Sequence, residues 1–244
     1  MARISVVVPV YDEQDSLEAL HRELDAALAG ESDAIELIFV DDGSRDESLA
    51  RLRALSAKDP RVRVLALDRN HGQSAALDAG FRAARGEIVV MLDGDGQNDP
   101  ADIPRLLAEL TNADVVNGVR VDRRDPFLRR ASSRVANAVR NGLTRETITD
   151  VGCSLRAMRA EPLRRVRMWS GAHRFLPTLL RLEGARIVEI PVSHRPRRHG
   201  RSKYGIANRL FAGLVDVCAV RWWQARTLRY GVREERAGGS APLD

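Results

Sequence analysis

Asp93 and Asp95, one residue apart in Asp93-Gly-Asp-Gly-Gln-Asn-Asp-Pro100, are the residues best suited by type and spacing to do chemistry. They follow Ile88-Val-Val-Met-Leu92, an apolar run that reads as a buried strand. Two carboxylates at a strand end can share a hard divalent cation. Mg²⁺ or Mn²⁺ prefers such oxygen ligands and keeps positions for diphosphate oxygens. Gln97 can add a further oxygen, while Gly94 and Gly96 let backbone approach closely. A cation here would offset the charge that builds on a leaving diphosphate. An Asp-x-Asp pair also arises in ordinary turns, so its weight depends on its surroundings.

Three more polar clusters occupy equivalent places. Tyr11-Asp-Glu13 follows an apolar run at 4–10, Asp41-Asp-Gly-Ser44 one at 35–40, and Asn70-His-Gly-Gln73 one at 62–67. Helical spacing of apolar residues appears at 17–28, from Ser44 or Asp46 to about 57, at 74–84 and at 102–110, and a fifth strand reads at 114–118. This alternation predicts an α/β fold, a mostly parallel sheet with helices on both faces. Such sheets bind ligands in the crevice outside the C-terminal ends of their strands. One polar cluster is as easily a turn; four on one edge make a site.

The 244 residues, 44% hydrophobic and 30% charged, suffice for one large domain and exclude a disordered chain. A net charge of +5 calls for an anionic partner, such as nucleotide, lipid phosphate or membrane surface. Nucleic acid is disfavoured, because the basic residues lack interleaved aromatics and no nucleic-acid-binding signature appears. Cys153 and Cys218 form no metal-ligand pair, which points away from zinc and towards a reducing compartment. The start Met-Ala-Arg runs straight into a strand, so no signal peptide is expected. No stretch reaches the roughly 18 apolar residues of a membrane span. Membrane contact is therefore expected to be peripheral or through a partner.

The second half is less regular. A basic helix reads at 126–143, a strand at 149–158 entered through Asp150, a helix at 176–182 and a strand at 185–190. Residues 194–203 read as a polar loop, 204–230 as an amphipathic helix and 234–244 as a frayed tail. His21, His71, His173 and His194 read as structural, and Trp169 as packing. Trp222 and Trp223 fit either core or an interfacial anchor beside Arg221 and Arg226.

Seven motifs in order carry a resemblance: Val8-Pro-Val-Tyr-Asp-Glu13, Val40-Asp-Asp-Gly-Ser44 with Asp46, Arg69-Asn-His-Gly-Gln73, Asp93 to Pro100, Gly118-Val-Arg120, Asp150-Val-Gly-Cys-Ser-Leu-Arg156 and His199-Gly-Arg-Ser-Lys-Tyr204. Over about residues 3–230 the chain resembles family 2 glycosyltransferases of GT-A fold, in the branch of dolichol-phosphate mannose synthases and bacterial polyprenyl-phosphate glycosyltransferases. The resemblance implies a Rossmann-like three-layer sandwich as catalytic domain (1–203), an amphipathic, membrane-associating helical segment (204–233) and a flexible tail (234–244).

The resemblance also implies roles. Pro9, Tyr11, Glu13, Asp41, Asp42 and Gln73 would surround the nucleotide, Asp41 facing the base and Glu13 the ribose. Asp93 would lie beside sugar and metal, with Asp95 and Gln97 as ligands of Mg²⁺ or Mn²⁺. Arg120, Arg129, Ser133 and Asn137 would bind the acceptor phosphate. Arg197, Arg201 and Lys203 would close over the diphosphate. Asp150 would serve as a base, or orient the acceptor or Arg156. Asp12 departs from the family's usual Asn.

The implied activity is inverting transfer of a sugar from a nucleotide-sugar, UDP ahead of GDP, to a polyprenyl phosphate at the cytoplasmic face of a membrane. A membrane-protein partner or a second copy is a further candidate associate. A phosphate oxygen is already nucleophilic at neutral pH, so this acceptor needs less help from a base than a hydroxyl. Two rivals stay open: a glycosyltransferase with a hydroxyl acceptor, and a non-catalytic nucleotide-sugar-binding subunit.

Overall fold

The computed structural model describes residues 3–30, 35–121, 141–143, 146–196, 207–227, 233–236 and 239–242. Strands β1 (Ile4–Val10), β2 (Ile35–Asp41), β3 (Val62–Ala66) and β4 (Ile88–Met91) run parallel, with β1 between β2 and β4. β5 (Val115–Arg120), β6 (Arg156–Arg159) and β7 (Ile187–Val192) complete a seven-stranded sheet of order β3-β2-β1-β4-β6-β5-β7. Among the described strands of this sheet only β6 is reversed, pairing antiparallel with both β4 and β5.

That reversal places the site. Because β6 runs the other way, it starts at the edge where β4 and β5 end; Arg156 pairs with Met91, two residues before Asp93. The expected strand at 149–158 is therefore corrected. Strand begins at Arg156, and 150–155 form the turn leading into it.

Alternation along β1 builds two cores, since successive strand residues face opposite sides. Ile4, Val6, Val8 and Val10 pack with α1 (Leu17–Ala27), α2 (Ser48–Lys58) and α4 (Ile103–Glu109). Val7, Ile38, Val40 and Met91 pack on the other face with α3 (Gln73–Ala83), α5 (Ala160–Arg165) and α6 (Leu176–Leu182). Leu77 of α3 has no exposed surface, so its burial contributes about 2 kcal/mol. The short helix α5 had no counterpart in the sequence reading.

Helix α7 (Ala207–Arg226) adds Val217 and Val220 to the second core, while Val215, Trp222 and Trp223 stay exposed. Trp223 still touches Trp169, ring centroids 5.8 Å apart. Among the described residues no helix is long and apolar enough to cross a membrane. β8 (Arg233–Arg236) and β9 (Gly239–Pro242) pair as an antiparallel hairpin where a frayed tail was expected.

Candidate active site

Two loops at the ends of β1 and β2 are sewn together by backbone donors. Ser48 Oγ accepts the Glu13 N–H at 2.9 Å, Asp46 accepts that of Gln14 at 3.2 Å, and Gln14 Oε1 accepts that of Glu47 at 2.9 Å. Asp12 sits at φ 50, a left-handed conformation that Asp and Asn tolerate. Its Oδ1 accepts the Arg45 N–H at 2.7 Å. An Asn oxygen would do the same, which accounts for the departure at this position. Gly43 is required: at φ +66, an added Cβ would lie 2.4 Å from the Arg69 carbonyl carbon.

Pro9 closes toward the end of β1, and half-buried Tyr11 and Glu13 follow it. Buried Asp41 ends β2; its Oδ2 accepts the Ser44 N–H at 3.2 Å, but its buried Oδ1 has no partner among the described residues. A buried acceptor left unmatched costs about 1–3 kcal/mol, so a ligand donor such as a nucleobase N–H fits here. Asp42 does something else. Its Oδ1 accepts the His71 N–H at 2.7 Å, and its Oδ2 accepts from Gly72 N at 2.9 Å and Asn70 Nδ2 at 3.0 Å. Asp42 thus supports the 70–72 loop, and burial raises its pKa.

That loop opens α3, whose first residue, Gln73, donates to Asp93 Oδ1 at 2.7 Å. Burial, and then the charge of Asp95, pushes Asp93 up to about 6. Two carboxylates that disfavour each other's charge are stabilised together by a cation. Around them, Ser16 Oγ donates to Gly94 O at 2.6 Å, and Asn98 Oδ1 accepts from Asp93 N at 3.3 Å and Ser154 Oγ at 2.8 Å. Asp95 Oδ1 accepts the Gln97 N–H at 3.1 Å. Among the described residues, no three His, Cys, Asp or Glu side chains form a metal cage. The Asp95 carboxylate and the Gln97 amide, two residues apart beside Asp93, are the hard oxygens that could be offered to Mg²⁺ or Mn²⁺.

Asp150 and Arg120 form the third part. Asp150 accepts from Arg120 Nε at 2.7 Å, Nη2 at 2.8 Å and N at 3.2 Å, and from Gly152 N at 3.2 Å. Two of these four donors belong to the Arg120 guanidinium, a charge-assisted pairing in which Asp150 orients Arg120. The buried Arg156 guanidinium donates to Asn117 Oδ1, Val151 O (2.9 Å) and His173 O (3.4 Å), and feels the charge of Asp150. The charges of both Arg156 and Arg120 reach Asp93.

Arg129, Ser133, Asn137, Arg197, Arg201 and Lys203 lie outside the described residues. Sequence reading missed Ser16, Asn98, Asn117, Ser154 and Arg195, whose side chains look like turn or surface residues until the fold brings partners to them. His173 Nδ1 meets Ser74 Oγ at 2.7 Å, a structural contact as expected. Burial pushes the Cys153 thiol up to about 11, so it is no nucleophile.

A mostly parallel seven-stranded sheet with one reversed strand among the described residues, and Asp41, Asp93 and Asp95 gathered at one edge of it, makes a GT-A fold. The sequence model for glycosyl transferase family 2 matches residues 5–167, and the chain belongs to that family. Similar proteins include the undecaprenyl-phosphate 4-deoxy-4-formamido-L-arabinose transferase of Edwardsiella ictaluri, 42% identical over 83% of this chain. The chain spans only 63% of that relative's length. The dodecaprenyl-phosphate galacturonate synthase of Rhizobium johnstonii is 37% identical over 98% of this chain and 71% of its own.

Among solved structures, glucosyl-3-phosphoglycerate synthase of Mycobacterium tuberculosis with Mn²⁺ and UDP-glucose superposes with TM-score 0.67 at 20% identity, covering 99% of this chain and 86% of the other. A Pyrobaculum calidifontis mannosyltransferase with GDP-mannose and Mn²⁺ gives 0.65 at 19% identity, covering 93% and 65%. These likenesses establish the fold.

Proposed function

We propose that this chain transfers a sugar from a nucleotide-sugar, UDP-linked ahead of GDP-linked, to a polyprenyl phosphate with inversion. The observation that carries the proposal is the placing of the Asp150-held Arg120 within electrostatic reach of Asp93. An arginine held in this way would offer its guanidinium to an acceptor phosphate beside the donor carboxylates, which supports the reading. The names of the two relatives, each acting on a polyprenyl phosphate, support the same acceptor.

In this reading Asp41 Oδ1 receives a base N–H, and Tyr11, Glu13 and Pro9 wall the nucleoside. Asp93 faces the sugar, fixed by Gln73. Asp95 and Gln97 would hold Mg²⁺ or Mn²⁺, which neutralises the leaving diphosphate. Arg120 turns the acceptor phosphate toward the sugar. No strong base is needed, in keeping with an Asp150 already tied to an arginine. Arg129, Ser133 and Asn137 would extend the phosphate site, with Arg197, Arg201 and Lys203 on the diphosphate. The exposed face of α7, with Val215 and Trp222 and with Arg226 5.8 Å over the Trp222 ring, would meet the cytoplasmic membrane surface.

The test mixes protein, Mn²⁺, detergent-dispersed undecaprenyl phosphate and one UDP- or GDP-sugar at a time, read by mass spectrometry. Lipid-phosphate sugar from one donor, lost in Asp95→Ala, is the expected result. Donor binding and hydrolysis with no lipid product would favour a hydroxyl acceptor. Nucleotide binding with no turnover of any kind would favour a binding subunit.

A further inference from the structure

We infer that Arg195 is a positioning residue that presents the Gln97 amide to the divalent cation. The inference rests on the reading of Asp95 and Gln97 as metal ligands. Arg195 grips the ligand loop through both backbone and side chain. Its N–H donates to Gln97 O at 2.9 Å, and its carbonyl accepts from Gln97 Nε2 at 3.4 Å. A carbonyl can only accept, so the NH₂ edge of the amide faces Arg195 and Oε1 lies on the opposite edge. The adjoining pair, Asn98 and His194, forms an antiparallel bridge that continues this contact.

The guanidinium spreads the grip outward. Nη1 meets Glu23 Oε2 on α1 at 2.7 Å, and Nη2 meets Asp99 Oδ2 at 2.7 Å. The other oxygen of Asp99 caps the turn at Pro100–Asp102 by accepting Ala101 N–H at 3.0 Å. One residue thus ties Gln97 and Asp99, at the C-terminal side of the loop, to a helix anchored in the core by Leu20 and Leu24. A donor set of one carboxylate, Asp95, and one amide, Gln97, has few ligands. Its affinity depends on holding those few in place, and losing such outer support costs about 10- to 100-fold in metal affinity.

The experiment measures Mn²⁺ binding by electron paramagnetic resonance, with UDP or GDP present according to which nucleotide the wild type binds. Arg195→Ala is expected to weaken Mn²⁺ by about 10-fold, and Glu23→Gln to weaken it less. Nucleotide binding in EDTA should be unchanged in both. In a Gln97→Ala background, Arg195→Ala should add no further loss, because it acts through that amide.

Mn²⁺ affinity unchanged in Arg195→Ala, while lost in Asp95→Ala, would overturn the inference and leave the metal reading standing. Additive losses in the double variant would overturn it too. Wild-type Mn²⁺ affinity in both Asp95→Ala and Gln97→Ala would remove the metal reading and this inference with it. Glu23→Gln, a charge change at a half-exposed helix position, decides the matter if Arg195→Ala does not fold.

Discussion

Arg120 and Asp150 meet fork to fork, Nε to Oδ2 at 2.7 Å and Nη2 to Oδ1 at 2.8 Å, across the mouth of the reversed strand β6. The geometry fixes the plane of the guanidinium, and a planar fork recognises a phosphate by that orientation as much as by charge.

Asp150→Asn should therefore act on the acceptor. Losing a charged hydrogen-bond partner of about 1.5–3 kcal/mol corresponds to about a 10- to 100-fold fall in kcat/KM for the lipid phosphate. Donor affinity should be unchanged. Arg120→Lys should fall as far, since a lysine cannot fill both contacts. Steady-state kinetics with donor and acceptor varied separately check this.

Asp41→Asn separates stability from binding. Its amide can keep the Ser44 contact but presents N–H where the nucleobase also offers N–H. Nucleotide affinity should fall by about 10- to 100-fold. The thermal midpoint should change little, because an unmatched buried carboxylate oxygen is exchanged for an equally unmatched amide NH₂. Calorimetric titration and thermal melts read the two effects.

Gly43→Ala should destabilise by at least about 1–3 kcal/mol, the range for a non-glycine residue forced into a left-handed conformation. The clash with Arg69 backbone adds to it, and urea unfolding measures the loss.

Acid sensitivity should centre on Asp59. Arg61 and His21 hydrogen-bond its carboxylate and hold its pKa well below the ordinary range. A depressed folded-state pKa stabilises the protein above the unfolded value, about pH 4, and that contribution fades as pH falls below it. Asp59→Asn should cost about 2 kcal/mol at pH 7. The gap from wild type should narrow steadily below pH 4 in urea unfolding at stepped pH.

Much of the donor side was legible because its signals are local. β1, β2 and β4 are largely apolar runs, broken only by Ser5 and Glu36, and Asp41, Asp93 and Asp95 sit where those runs stop. What escaped depends on pairing at a distance. Nothing local says that 150–155 is a turn, because the β6 start is set by antiparallel pairing with β4 and β5. Asp42 reads like Asp41, and only the arrival of the 70–72 loop distinguishes them. Arg195 is one basic residue in a basic stretch until Glu23, some 170 positions earlier, pairs with it.

The central claim is that the acceptor's nucleophile is a phosphate oxygen. The most direct measurement compares undecaprenyl phosphate with undecaprenol under the donor and metal that support turnover. Sugar attached to the phosphate, with no detectable product from the alcohol, is the expected result. Equal or faster glycosylation of undecaprenol would contradict it, and with it the role given to Arg120.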